Sequence, residues 1–187
     1  MRISGNRQLK TLPGLDTRPT SSRVRSAVFN IWQGNISDFS WLDLCAGSGA
    51  MSAEALQRGA KSVTCIEKSS RACAIIEQNL QQIAKERTTF QVLKGDVIKR
   101  LKTLAGQQFD RIYFDPPYAS DLYQPVLAEI AFYNLLHPEG ELAVEHSPNF
   151  KLPPIATLAV CRQKVYGHTA VTFYCPSSSK EGQLVAL

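Results

Sequence analysis

The sequence has no apolar run of the roughly 18 residues that a membrane-spanning helix requires. Its first ten residues, MRISGNRQLK, hold no apolar stretch either, so no secretory leader is predicted. The five cysteines, Cys45, Cys65, Cys73, Cys161 and Cys175, form no CxxC pair. An odd, scattered set fits reduced core thiols in a cytoplasmic protein better than disulfides or zinc. His137, His146 and His168 show no metal-ligand spacing, so no metal is expected. Acid is nearly missing from the N-terminal arm. Up to Gln33 the bases Arg2, Arg7, Lys10, Arg18, Arg23 and Arg25 face Asp16 alone, a surplus equal to the whole chain's net charge of +5. A basic arm on a neutral body points to a polyanion partner, nucleic acid in particular.

At 187 residues the chain can bury one sizeable core. Residues 1–33 read as a basic arm and helix, 34–176 as an α/β core and 177–187 as a polar tail. Within the arm, 2–11 can form a weak hairpin and 13–20, PGLDTRPT, a loop. A helix follows, capped by Thr20 or a following serine, with Val24, Ala27, Val28, Ile31 and Trp32 on one face. Arg23 and Arg25 lie off that face and can reach solvent or a ligand. Strands are predicted at 39–44, 62–66, 89–93, 111–114 and 141–144, and helices at 50–58, 69–83, 97–104 and 122–135. His137–Gly140 reads as a turn before the fifth strand. This alternation implies βαβ units and a parallel sheet. Two last strands, 157–165 and 169–174, are separated by so little chain that they must form an antiparallel hairpin. The chain is expected to be a monomer.

Residues 41–49 read WLDLCAGSG. Asp43 closes a strand, and Gly47 and Gly49 let the backbone turn tightly against a bound molecule, with Cys45, Ala46 and Ser48 between them. A dinucleotide-binding turn would want a third Gly or Ala at 52, where Ser52 stands. An acid just before the glycines would also repel a pyrophosphate, and it suits a ligand that carries positive charge. Glu67 ends the next strand, where it can accept both hydroxyls of a ribose. Asp96 follows the third strand, within reach of an adenine amino group. Singly each acid could be a helix N-cap. Together they describe a site for a nucleoside with a cationic amino-acid tail, which is S-adenosylmethionine.

Beside this stands RIYFDPPY, 111–118. Pro116 and Pro117 cannot continue a central strand, so the chain leaves the sheet at Asp115. A carboxylate, a stiff turn and the Tyr118 ring are presented together at a strand's carboxyl end, where open α/β sheets bind ligands. The stretch 41–144 resembles a class I, Rossmann-like methyltransferase, whose seven-stranded sheet ends in an antiparallel hairpin. DPPY is similar to the amino-methylating signature of that class. RPTSSRVRSAVFN and KVYGHTAVTFY resemble the RsmD family more narrowly, whose members methylate the N2 amine of a guanine in 16S ribosomal RNA. The resemblance implies that Asp115 and the Pro116 carbonyl accept hydrogen bonds from the target amine, and that Tyr118 stacks on the base, for which the ring suffices. It also implies 16S ribosomal RNA, free or in assembling small subunits, as partner. Asp115 does not fix the target base, because many adenine-directed relatives carry Asn there. Three rival readings remain: an adenine-N6 methyltransferase acting on RNA or DNA, a nicotinamide-dependent oxidoreductase, and a non-catalytic RNA-binding or assembly protein on the same fold.

Overall fold

The computed structural model describes residues 1–11, 22–32, 37–118 and 120–177. Seven strands form one sheet in the order β3-β2-β1-β4-β5-β7-β6. These are β1 (Ser40–Leu44), β2 (Ser62–Glu67), β3 (Thr89–Lys94), β4 (Phe109–Phe114), β5 (Leu136–His146), β6 (Leu158–Tyr166) and β7 (Thr169–Pro176). The first five pair in parallel, and β7 runs antiparallel to both β5 and β6. This is the mostly parallel sheet with a terminal hairpin that the alternation predicts.

Side chains alternate across each strand, and both faces are covered. Trp41, Tyr113, Ala143 and Phe173 meet helices α1 (Ser22–Ile31), α2 (Ala50–Gln57) and α3 (Ser70–Gln81) in one core. Leu42, Leu44, Ile112, Phe114, Leu142 and Val144 meet α4 (Val97–Lys102) and α5 (Tyr123–Phe132) in the other. The chain winds outward from β1 to β3, then jumps back to pair β4 with β1. The carboxyl ends of β1 and β4 therefore flank the point where strand order reverses, the place where such sheets leave a crevice.

Aromatic stacking seats α1 on the sheet. Trp41 lies parallel to Phe29 at 5.3 Å, and Trp32 stands edge-on to Trp41 at 5.5 Å and to Phe173 at 5.6 Å. Each such pair adds about 0.5–1.5 kcal/mol beyond the area it buries. These rings rotate the helix from the predicted stripe. Val24, Arg25, Val28, Phe29 and Trp32 are buried, while Ala27 and Ile31 are only half-buried.

Two further expectations need correction. His137–Gly140 is not a turn before β5 but part of it. Phe109 pairs with Leu136 and Arg111 with Glu141, so 137–140 stand opposite Asp110 as an irregularity inside the strand. Pro138 reads as a stop, but a strand tolerates it at such a bulge. Cys161 and Cys175 are not free thiols but a disulfide, with Cα atoms 6.0 Å apart. Their spacing matches no motif because the hairpin register, not sequence proximity, joins them: the register shifts between Val160 and Arg162 and leaves Cys161 as the bulged residue near Cys175. Cys45, Cys65 and Cys73 are free, as expected. The loop 13–20, the helix cap at Thr20 or Ser21, Arg18 and the tail from 178 lie outside the described residues. Among the described residues no helix is long and apolar enough to cross a membrane.

Candidate active site

The turn after β1 needs unusual backbone. Cys45, Gly47 and Gly49 all have positive φ, at 61°, 57° and 72°. A Cβ on Gly49 would press on the Ile76 side chain at 3.1 Å, a tight contact added to a φ that already favours glycine. A Cβ on Gly47 would meet nothing within 4 Å, so this glycine leaves an open approach to the backbone instead. The open side is where a ligand can lie against the chain.

Asp43 sits beneath this turn. Its carboxyl oxygen Oδ2 accepts from Ser52 N at 3.2 Å and Ser52 Oγ at 2.6 Å, holding the first turn of α2 to β1. Ser52 thus has a task that a glycine or alanine could not perform. Burial pushes the Asp43 carboxyl up to about 7, against the opposing pull of Ser52. With the folded value raised, the unfolded chain loses its proton first, so this group lowers stability progressively from about pH 4 to about pH 7. Asp43→Asn removes the titration and keeps an acceptor for Ser52. Its melting temperature relative to wild type should rise between pH 5 and pH 8. A difference that stays flat with pH would show that Asp43 does not titrate there.

Glu67 fastens the turn from the neighbouring strand. Its Oε2 accepts from Gly47 N at 2.9 Å, and its Oε1 accepts from Ser69 N at 2.8 Å. Each oxygen has a second lone pair for a ligand hydroxyl. Asp96 caps α4 through Lys99 N at 3.1 Å, the N-cap role an acid at that position can always take. The Cys45 thiol lies among these groups. Burial, then the charges of Glu67, Asp115, Asp43 and Asp96, push it up to about 12, so it stays protonated. Glu67, Asp115, Asp43 and Asp96 thus all lie close enough to the turn to act on Cys45.

Asp115 begins beside the turn, its backbone N–H reaching Leu44 O at 3.4 Å. Pro116 is buried and Pro117 exposed. The Pro117 carbonyl accepts from Ser120 N at 2.9 Å, closing a tight turn that brings Tyr118 round. Tyr118 is 38% exposed, and its hydroxyl is tethered on the sheet. It donates to Glu145 Oε1 at 3.1 Å and shares a 2.7 Å hydrogen bond with Thr169 Oγ1. Tyr113 donates to the other oxygen of Glu145 at 2.5 Å, and Tyr123 donates to the Glu145 carbonyl at 3.2 Å. Burial raises the Glu145 carboxyl, and burial pushes the Tyr118 phenol up to about 12, so the phenol is a fixed donor.

Glu145 is a positioning residue that pattern reading passes over. Its one signal is an acid closing an otherwise apolar strand. The tether also changes the part of Tyr118, whose ring is held through its hydroxyl. Tyr118→Phe should therefore lower the single-turnover rate about tenfold, the scale of one hydrogen bond. An unchanged rate would mean that the ring is placed by packing alone. His146 bonds Ser147 O and Thr172 Oγ1, each at 2.8 Å, and is structural.

The arm docks beside the same site. Arg2 and Gln8 form a single antiparallel bridge, and Ile3 and Leu9 are buried. Asn79 of α3 is fully buried and clamps the arm to the glycine turn. Its Oδ1 accepts from Lys10 N, and its Nδ2 donates to Lys10 O and Ser48 O, all at 2.9–3.1 Å. Arg2, Arg7 and Lys10 are exposed, and among the described residues they bond neutral groups: Asn6, the Gln82 carbonyl and Gln78. Arg23 is exposed on α1. Arg25 is not available to a ligand, contrary to the sequence reading. It is buried, 3.7 Å from Glu54, and donates to Arg2 O at 2.6 Å. One residue from Val24, it falls on the side of α1 that the rings turn inward, where Glu54 compensates its charge.

Comparison with known proteins places this arrangement. The family model described as conserved hypothetical protein 95 matches residues 1–175. The "Ribosomal RNA small subunit methyltransferase D" of Escherichia coli K12 is 33% identical over 87% of this chain and 80% of its own. The chain belongs to the RsmD family. Its namesake from Haemophilus influenzae is 28% identical over 90% of this chain and 88% of its own. The solved structure of yhhF from E. coli superposes with a TM-score of 0.80 at 30% identity, covering 94% of this chain and 97% of that one. The RsmD-family fold, with its glycine turn and DPPY loop side by side, is thus the frame for the chemistry.

Proposed function

We propose that this RsmD-family protein methylates the exocyclic N2 amine of one guanine in small-subunit (16S) ribosomal RNA, free or within assembling small subunits, in the cytoplasm. The observation that carries the reading is the pairing of the Cys45–Gly49 turn with the Asp115–Tyr118 loop across the neighbouring ends of β1 and β4. The names of the relatives support the substrate, and DPPY supports an amine as the acceptor.

The residues fit S-adenosylmethionine. The open side of Gly47 would admit it, Glu67 would take the ribose hydroxyls, and Asp96 and Asp115, whose charges both act on Cys45 in the turn, would favour its positive charge. When bound, the cofactor provides an electrophilic methyl on a sulfonium. The chain's own task is to make a poor nucleophile attack it. The lone pair of a purine amine is delocalised into the ring. Hydrogen bonds from its two N–H groups to the Asp115 carboxylate and the Pro116 carbonyl favour the pyramidal nitrogen. The same carboxylate would take the proton that the nitrogen releases once it has gained the methyl. The Tyr118 ring stacks on the extruded base, a contact worth about 1–3 kcal/mol. Glu145 and Thr169 fix that ring so that the base arrives in line with the methyl.

The test is transfer of labelled methyl to undermethylated small-subunit particles, naked 16S RNA and duplex DNA. Label should enter ribosomal RNA and not DNA. Label confined to DNA, or absent from all three, would overturn the reading.

A further inference from the structure

The arm is not the only basic surface. From His146 to Ser177 the chain carries Lys151, Arg162 and Lys164 and no acid. Charge counted along the sequence hides this, because acids elsewhere in the core cancel it. The sheet register shows where two of these cations lie. Tyr118 is bonded to Thr169, which pairs with Tyr166 at the hairpin tip. Glu145, Val171 and Lys164 face one another across β5, β7 and β6, so Lys164 shares a sheet face with the carboxylate that holds the Tyr118 ring. Neighbouring strands are about 4.8 Å apart, which puts the Lys164 backbone about 10 Å from that of Glu145. Arg162 pairs with Phe173, lies on the same face two residues further out, and places its guanidinium over the Phe173 ring at 5.6 Å. Both cations are exposed, and neither has an ion pair among the described residues.

A charge on an edge strand also deters pairing with another chain. Either sign serves that purpose, whereas the hairpin itself carries cations and no acid, and its exposed cations lead to the base-holding ring. Alternate residues of a strand are about 7 Å apart, so Lys164 and Arg162 present two cations in a row leading away from Tyr118.

We infer that the β6 face of the hairpin, through Lys164 and Arg162, is a contact surface for the phosphate backbone of the substrate RNA next to the extruded base. The inference rests on the proposed RNA reading. Base contacts are not required of it: phosphate contacts set the register of the strand, and Tyr118 then receives the base that the register brings.

Arg162→Gln with Lys164→Gln tests it, in the full chain. Binding of 16S RNA is measured across a series of salt concentrations, with S-adenosylmethionine affinity and melting temperature in parallel. RNA affinity should fall about tenfold or more, and the salt slope should drop by about 0.7–0.9 for each lost contact. Cofactor affinity should match wild type, and melting temperature should fall by no more than a few degrees, the effect of losing the Arg162–Phe173 contact. Arg162→Lys with Lys164→Arg should restore binding and slope. A neutralised variant that binds RNA with wild-type affinity and slope, while wild type itself binds and methylates RNA, overturns the surface and leaves the proposed function standing. A wild-type protein that binds no ribosomal RNA overturns both.

Discussion

Replacing Asp115 by Ala should slow single-turnover methyl transfer a hundredfold or more. The carboxylate is presented where the two prolines force the chain out of the sheet, one residue beyond the Phe114–Leu44 pair that ends β4 and β1. Its value lies in the transition state. As the amine nitrogen attacks, positive charge develops on it, and a preorganised acceptor stabilises that charge more than it stabilises the neutral amine. Removing one such group costs on the order of a hundred- to a thousandfold in comparable sites. Cofactor affinity should hold within a few-fold, because Glu67 holds the turn and is the residue proposed for the ribose. Asp115→Asn should keep part of the rate, since its amide oxygen still accepts one hydrogen bond. Rapid-quench measurement with labelled cofactor reads the step itself. An alanine variant that transfers methyl at the wild-type rate would remove Asp115 from the chemistry.

Glu67→Ala should weaken S-adenosylmethionine binding by ten- to a hundredfold. Hydrogen bonds to a charged group are worth about 1.5–3 kcal/mol, which converts to that range. The structure adds a second reason. Glu67 also holds the Gly47 N–H, so its loss frees the glycine turn that the cofactor must lie against. Glu67→Gln separates the two contributions. Its amide oxygen can still accept from Gly47, so the turn should stay in place while one ribose contact is lost, giving an intermediate affinity. Calorimetry reads both variants. Affinity unchanged in the alanine variant would show that the ribose lies elsewhere.

The sheet, its hairpin and the two loops at its switch point were legible because each has a local signature. Alternating apolar periods mark the strands and helices, glycines mark the turn, and the paired prolines mark the exit from β4. The supporting contacts were not legible, because they join residues far apart in sequence. Glu145 meets Tyr118 only because β5 lies beside β4, and Asn79 meets Lys10 and Ser48 only because the arm folds back over α3. Arg25 shows the same limit from the other side. Its charge suggested a solvent or ligand contact, and only the packing of Phe29 and Trp32 against Trp41 turns it inward to Glu54. The Cys161–Cys175 bridge and the cations of β6 also depend on hairpin register, which composition does not contain.

The proposed acceptor is the N2 amine of a guanine in the small-subunit RNA. Mass spectrometry of nucleosides from the small-subunit RNA of a strain lacking this protein tests it most directly. The expected result is the loss of N2-methylguanosine equivalent to one site per RNA molecule, restored by the wild-type gene and not by Asp115→Ala. Unchanged N2-methylguanosine, or the loss of N6-methyladenosine in its place, would contradict it.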